Sequence, residues 1–242
     1  MFNDNLKISL VIPAYNEEKY LGDCLKHAIA NSGGRFAEIV VIDNASTDRT
    51  REVGESFPGV RVVREEQKGL TKARQRGYQE AKGDVLAYID ADTRMPAGWY
   101  DQVFREFVKN DKLACLSGPY VYYDFSMWQQ LITKLYWYVL ALPFYYSVGY
   151  MTVGGNFAIR RTVLDQMAGF DTSISFYGED TNIARRASQF GQVLFRPSLV
   201  MYTSARRLTG QGLFKTGFIY GTNFLSEVFL KKPITTDYQD IR

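Results

Sequence analysis

An α/β layer fold with a mostly parallel sheet is predicted for this 242-residue chain from its first 120 residues, and three observations predict it. Four short runs rich in β-branched residues, ISLVIP (8–13), EIVVID (38–43), VRVV (60–63) and VLAYID (85–90), end at turn residues. That is the pattern of strands buried on both faces. Helix-like stretches alternate with them, as the crossovers between parallel strands require. Polar clusters follow the first, second and fourth runs (PAYNEE, Asp43 and Asp90-Ala91-Asp92), at the strand ends where open α/β sheets collect ligands.

In chain order, the first helix is expected over 17–31, opened by Glu17 and Glu18, whose charge suits a helix N-terminus. The second, over 46–56, has Ser46 placed as its cap; the third, over 70–82, ends at Gly83 as a C-cap. A further strand, ACLSGPYVYY (114–123), leads into an aromatic-rich insertion at 126–150, and no residue from Leu135 to Ile159 is charged. A membrane-spanning helix takes about 20 mostly apolar residues. Here Pro143, Ser147 and Gly149 interrupt the run and its tyrosines are amphipathic. We therefore expect a helix pair that lies on a membrane or covers an acceptor groove; a buried core helix and a homodimer interface are the competing readings. Residues 208–242 read as a C-terminal amphipathic helix and tail, with Phe214, Phe218, Leu225 and Phe229 at helix-compatible spacing beside Lys215, Lys231 and Lys232.

A hydrophobic content of 46% supplies a sizeable core and excludes a disordered chain. Cys24 and Cys115 lie far apart in no metal-binding spacing, and MFNDNLKISLVIP lacks the basic and apolar regions of a signal peptide, so a cytoplasmic setting is expected. Residues 1–120 carry 17 Lys and Arg against 18 Asp and Glu; residues 121–242 carry 12 against 8. A basic second half suits a phosphate-bearing ligand or the anionic inner face of a membrane, with no sign of nucleic acid as partner. His27, the single histidine, reads as a surface or packing residue.

Asp90 and Asp92 carry the sharpest chemistry. Alternate side chains at a strand end share a face, and two carboxylates so close repel unless a cation joins them. Hard ions such as Mn²⁺ or Mg²⁺ take carboxylate oxygens and bridge them to substrate phosphates.

Four segments in order resemble the family 2 glycosyltransferases of the GT-A fold: SLVIPAYNEEKYL, EIVVIDNASTDRT, QKGLTKARQRGYQEAKGDVLAYIDADT and VGGNFAIRRTVLDQMAGFDTSISFYGEDTNIARRASQFGQVLFRPS. The resemblance runs from about residue 7 to 207. It implies a metal-dependent, inverting transfer from a nucleotide sugar, UDP-sugar favoured, to a glycan or lipid-linked acceptor in glycan or cell-envelope polysaccharide synthesis. By the same resemblance Pro13, Ala14, Tyr15, Asn16 and Glu17 shape the nucleotide-side turn, and Asp43 accepts a hydrogen bond from the base. Lys68 and Arg74 lie on the nucleotide side, where the family often has Asn at the position of Gln75. Asp90 holds the ribose, with Ala91 beside it among the nucleotide-sugar-binding residues, and Asp92, joined by Asp90, holds the metal. Gly154, Gly155 and Asn156 let backbone approach sugar or acceptor. Asp180 is the general base and Glu179 its acceptor-side support, and Arg206 or Arg207 meets the diphosphate. Two other readings use the same strands. A nucleotidyltransferase would want a glycine-rich phosphate loop that VIPAYNEE lacks. An inactive nucleotide-sugar sensor or scaffold would not need Asp90, Asp92, Asp180 and Arg206 intact.

Overall fold

The computed structural model describes residues 5–174, 178–211, Thr222 and Ser226. Strands form where the β-branched runs place them: β1 (Ile8–Ala14), β2 (Glu38–Asn44), β3 (Val60–Glu65) and β4 (Val85–Ile89). Helices α1 (Leu21–Ser32), α2 (Thr50–Glu55) and α3 (Leu70–Glu80) connect them. There follow β5 (Thr93–Arg94), α4 (Trp99–Lys109), β6 (Leu113–Ser117), β7 (Tyr120–Tyr122), α5 (Met127–Tyr136) and α6 (Leu142–Val148). The chain continues through β8 (Asn156–Arg160), α7 (Arg161–Gln166), α8 (Glu179–Ala187), β9 (Gln192–Phe195), β10 (Met201–Thr203) and α9 (Arg206–Gln211).

The main sheet has the order β3-β2-β1-β4-β8-β6-β9, and within it only β8 runs against its neighbours. Ile8, Leu10 and Ile12 of β1 pack on one side with Leu21 and Leu25 of α1 and Phe107 of α4. Val11 packs on the other side with Ala73 of α3, Leu164 of α7 and Ile183 of α8. Helices on both faces are why these strands read as unbroken apolar runs.

Several local expectations are corrected. Residues 17–20 form a turn ahead of α1, with the Glu17 carbonyl accepting the Tyr20 and Leu21 N–H groups. Ser46 does not cap α2: its Oγ accepts the Asn16 N–H at 3.1 Å, and Asp48 Oδ1 takes the Thr50 N–H at 2.9 Å. Gly83 is no C-cap, because the extended backbone of Ala81 already stops α3 and the Gly83 N–H donates to Ser9 Oγ at 2.8 Å. The run 114–123 breaks at Gly118-Pro119, since proline cannot donate to a ladder. β6 stays in the main sheet, whereas β7 joins a three-stranded sheet of order β5-β10-β7.

The insertion is one helical run rather than a pair: α5, a π turn over Trp137–Ala141, then α6. The Leu142 N–H reaches back to the Trp137 carbonyl. Pro143 lacks an N–H, and in a regular helix its ring would crowd the carbonyl four residues back; the wider turn before it relieves that clash. Ala141 and Leu142 pack against Val153 and Phe195, but Trp128 is 76% and Leu131 54% exposed, and Met127, Leu135, Val139 and Leu140 are exposed as well. A buried core helix is thereby ruled out. Among the described residues no helix is long and apolar enough to cross a membrane. The amphipathic segment expected at 208–242 lies outside the described residues, except for the end of α9, Thr222 and Ser226.

Candidate active site

Asp90 follows β4, and its carbonyl accepts the Thr93 N–H at 3.2 Å and the Thr93 hydroxyl at 2.7 Å, a tight turn that brings Asp92 back beside it. Asp90 Oδ2 accepts the Tyr120 hydroxyl at 3.0 Å, and Asp90 Oδ1 lies 3.9 Å from Arg74 Nη2. Asp92 Oδ2 accepts Arg206 Nε at 2.9 Å, and Arg206 Nη2 also donates to the Glu17 carboxylate. The small sheet sets this up: Thr203 of β10 pairs with Thr93 of β5, which carries residues 204–206 alongside Asp92. Asp124 then accepts the Ala205 N–H and the Ser204 hydroxyl, each at 2.7 Å. Arg206 is thus the guanidinium on both carboxylates, and Arg207 follows it in α9.

Pro13 and Ala14 are buried at the end of β1, with Tyr15 and Asn16 partly exposed after them. Asn16 adopts a left-handed backbone (φ 52°), which its short polar side chain tolerates. Its Oδ1 accepts the Thr47 N–H at 2.9 Å, tying the first loop to the second. Lys68 Nζ stands 3.9 Å over the Tyr15 ring. Asp43, expected to meet a nucleobase, is fully buried: Oδ1 accepts the Ser46 N–H at 3.1 Å and Oδ2 accepts Arg64 Nη1 at 2.7 Å. Arg64 stands on the neighbouring strand opposite Asp43 and went unnoticed in the sequence, because only the register puts the two together. Tyr120 was missed for the same reason; Pro119 just before it was the available signal for a break that swings it toward Asp90.

Glu179 and Asp180 open α8. The Gly154 N–H donates to Asp180 Oδ2 at 3.2 Å, and Thr152 Oγ1 donates to the Asp180 carbonyl at 2.7 Å. Burial pushes the Asp180 carboxyl above its ordinary range, against the pull of Arg74. Glu179 is buried and pairs with Arg74; burial raises it well above the usual range. The Tyr136 phenol is raised from its ordinary value, by loss of hydration first and by the charge of Asp180 second.

Three more expectations change. Arg74 is buried beneath the site, with Nη2 donating to the Gly154 carbonyl at 2.6 Å. A Cβ on Gly155 would run into the Tyr120 hydroxyl and the Asp90 carboxylate, so glycine there makes room for the protein's own side chains. Asn156 is fully buried: Oδ1 accepts Trp99 Nε1 at 2.9 Å, and Nδ2 donates to the carbonyls of Leu199 at 2.7 Å and Gly118 at 3.0 Å. Gln75 is likewise structural, its Oε1 accepting the Phe170 N–H at 2.9 Å. Ala91 is a buried spacer. His27 bonds the Asp23 carbonyl of its own helix at 2.9 Å, as a packing residue would.

The donor set suits a hard divalent ion. Among the described residues, Arg74 faces Glu179, Asp90 and Asp180, and Arg206 faces Asp92 and Glu17, so carboxylates outnumber these two guanidinium groups. Among the described residues no three His, Cys, Asp or Glu side chains are placed to hold an ion by themselves. The residues therefore fit a cation that takes one or two carboxylate oxygens here and completes its shell with phosphate oxygens and water.

Fold and site together define a GT-A type α/β protein. The mannosyltransferase PcManGT of Pyrobaculum calidifontis, solved with GDP-Man and Mn²⁺, superposes with a TM-score of 0.68 at 20% identity, covering 93% of this chain and 64% of that one. Glucosyl-3-phosphoglycerate synthase of Mycobacterium tuberculosis, solved with Mn²⁺, UDP and phosphoglyceric acid, superposes with a TM-score of 0.66 at 19% identity, covering 93% and 78%. The sequence model of Glycosyl transferase family 2 matches residues 9–168, and the chain belongs to that family. Among curated relatives, the dolichol-phosphate mannosyltransferase of Pyrococcus furiosus is 32% identical over 170 residues, 66% of this chain and 48% of that protein. The undecaprenyl-phosphate 4-deoxy-4-formamido-L-arabinose transferase of Edwardsiella ictaluri is 38% identical over 97 residues, 37% of this chain and 30% of that protein. The chain thus spans about half or less of the length of these two curated relatives.

Proposed function

We propose that this chain is a metal-dependent, inverting glycosyltransferase that moves a sugar from a nucleotide sugar, UDP-sugar favoured, to a lipid-linked acceptor in glycan or cell-envelope polysaccharide synthesis. The observation that carries this reading is that Asp180 and Asp90 flank the Gly154-Gly155 segment, Asp180 accepting the Gly154 N–H and Asp90 packing where a Cβ of Gly155 would stand, with Arg206 on Asp92. The catalytic unit is residues 1–207, with 126–150 as its insertion and 208–242 as an amphipathic appendage.

Asp180 takes the proton of the acceptor hydroxyl as its oxygen attacks the anomeric carbon. The bond to the nucleoside diphosphate breaks on the opposite face, inverting that carbon. A carboxylate whose pKa is raised is a stronger base than an ordinary one, provided it is ionised at the working pH. Asp92 with Asp90 would hold Mn²⁺ or Mg²⁺, which when bound would supply positive charge against that of the departing diphosphate. Arg206 leaves Asp92 to donate to the phosphate oxygens, whose geometry its planar fork matches. Tyr15, Asn16, Glu17 and Lys68 border the nucleotide, and Arg64, which covers Asp43, reaches the base first.

The exposed face of α5 and α6 supports a lipid-linked acceptor. It presents Trp128, Leu131, Leu135 and Leu140 with Lys134 as its only charge, and the charge of Asp180 is felt at Tyr136 of the same helix. Such a face rests in the headgroup plane at the inner side of a membrane. A thermal-shift panel of UDP-, GDP- and dTDP-sugars with Mn²⁺ tests the donor chemistry, since a ligand that binds only the folded state raises Tm. One nucleotide class is expected to raise Tm, with the Mn²⁺-dependent part absent in Asp92→Ala. No shift with any member of the panel would overturn the reading.

A further inference from the structure

We propose that Arg74 is an acceptor-side positioning residue: its guanidinium ties Glu179 to the carbonyl of Gly154, the residue whose N–H in turn holds the Asp180 carboxylate. The inference rests on the reading of Asp180 as base and moves Arg74 away from the nucleotide. Arg74 is 1% exposed, so it is enclosed by protein rather than presented to a ligand. One nitrogen of its fork, Nη1, donates to Glu179, and Nη2 donates to the Gly154 carbonyl at 2.6 Å. Its Cζ lies 5.5 Å from the centre of the Phe157 ring, within cation–π range.

The connection onward is short. The carbonyl that Arg74 holds and the N–H that Asp180 Oδ2 accepts at 3.2 Å belong to the same residue, Gly154. The glycine is required here, because a Cβ would stand 2.7 Å from Glu179 Oε1 and 2.8 Å from Arg74 Nη2. Glu179 precedes Asp180 at the first turn of α8, so fixing Glu179 also fixes the start of the helix that carries the base. Asp90 Oδ1, 3.9 Å from Nη2, gives the same guanidinium a view of the donor-side carboxylate. A single buried cation therefore sets the spacing between the two halves of the site. Lysine's ammonium has three donors but no planar fork, so it would hold two acceptors in a less fixed geometry.

Two measurements on Arg74→Lys and Arg74→Met test this. In the ligand-free protein, hydrogen exchange of peptides covering 150–156 and 178–184 should speed up about tenfold or more in Arg74→Met and less in Arg74→Lys, since local opening tracks lost contacts. In turnover, kcat should fall about 10²-fold in Arg74→Met with donor KM within about twofold of wild type, and Arg74→Lys should recover part of the rate, because misplacing a reacting group costs rate rather than binding. In an Asp180→Asn background the Arg74→Met change should cost almost nothing further, as expected for residues acting as a unit. If Arg74→Met does not fold with Glu179 left unpaired, Arg74→Met with Glu179→Gln removes the stranded charge, and Arg74→Lys carries the kinetic arm. A raised donor KM with kcat intact, a full additional loss in the Asp180→Asn background, or unchanged exchange at 150–156 would overturn the proposal. The exchange arm needs no substrate, so failure of the glycosyltransferase reading itself, no nucleotide-sugar binding by wild type, is read separately.

Discussion

Arg206→Gln should make the free protein bind Mn²⁺ more tightly and the nucleotide-loaded protein bind it less tightly. In the structure Arg206 Nε donates to Asp92 Oδ2 at 2.9 Å while Nη2 holds Glu17, so a guanidinium occupies the oxygen that the proposed ion would take. At about 4 Å between charge centres and an effective dielectric of about 20, such a pair is worth about 4 kcal/mol before other terms. Desolvation and the hydrogen bond that glutamine still donates to Glu17 reduce the net to about 1–1.5 kcal/mol, about tenfold in affinity. Titration of Mn²⁺ followed by electron paramagnetic resonance reads it directly. Without nucleotide the variant should bind Mn²⁺ about tenfold more tightly; with nucleoside diphosphate present the order should reverse, because the phosphates have lost a charge-assisted donor. Unchanged or weaker Mn²⁺ binding by the free variant would refute the idea that Arg206 and the ion compete for Asp92.

Asp180→Asn should lower kcat about 10²-fold or more with donor affinity unchanged, because asparagine cannot accept the proton; loss of donor binding would place Asp180 in the donor pocket instead. The same variant should be more stable at pH 8 than wild type. The Asp180 carboxyl is raised by burial, so the folded chain binds its proton more readily than the unfolded chain. Its contribution to stability is complete below the unfolded value, about 4, and is lost as pH rises through the folded one. The Tm gain should therefore shrink toward pH 4, and the acid limb of kcat/KM should lie above the ordinary aspartate range. Leu131→Glu with Leu135→Glu, both on the exposed face of α5, should leave Tm unchanged and abolish co-flotation with anionic liposomes, which in wild type weakens in high salt. A stable dimer that ignores liposomes would replace the membrane with a second copy.

The first half of the fold was legible because both faces of its sheet are buried. A strand so placed must be apolar along its whole length, and ISLVIP, EIVVID and VLAYID have no other use for that pattern. Asp90 and Asp92 stood out as a pair because alternate side chains at a strand end share a face, whereas Glu179 and Asp180 were singled out by the family resemblance, since acidic residues at a helix start are ordinary by themselves. Gly118-Pro119 shows where this stops, since a local break in a ladder does not say which sheet the next strand joins. Roles decided by partners far along the chain stayed hidden. Arg74 meets Glu179 across 105 residues, Arg206 meets Glu17 across 189, and Asn156 is claimed by Leu199 across 43. A sequence names side chains able to bind a ligand, but an arginine or asparagine bonds protein and ligand equally well. Only the packed structure decides which of them are already spent on holding the site together.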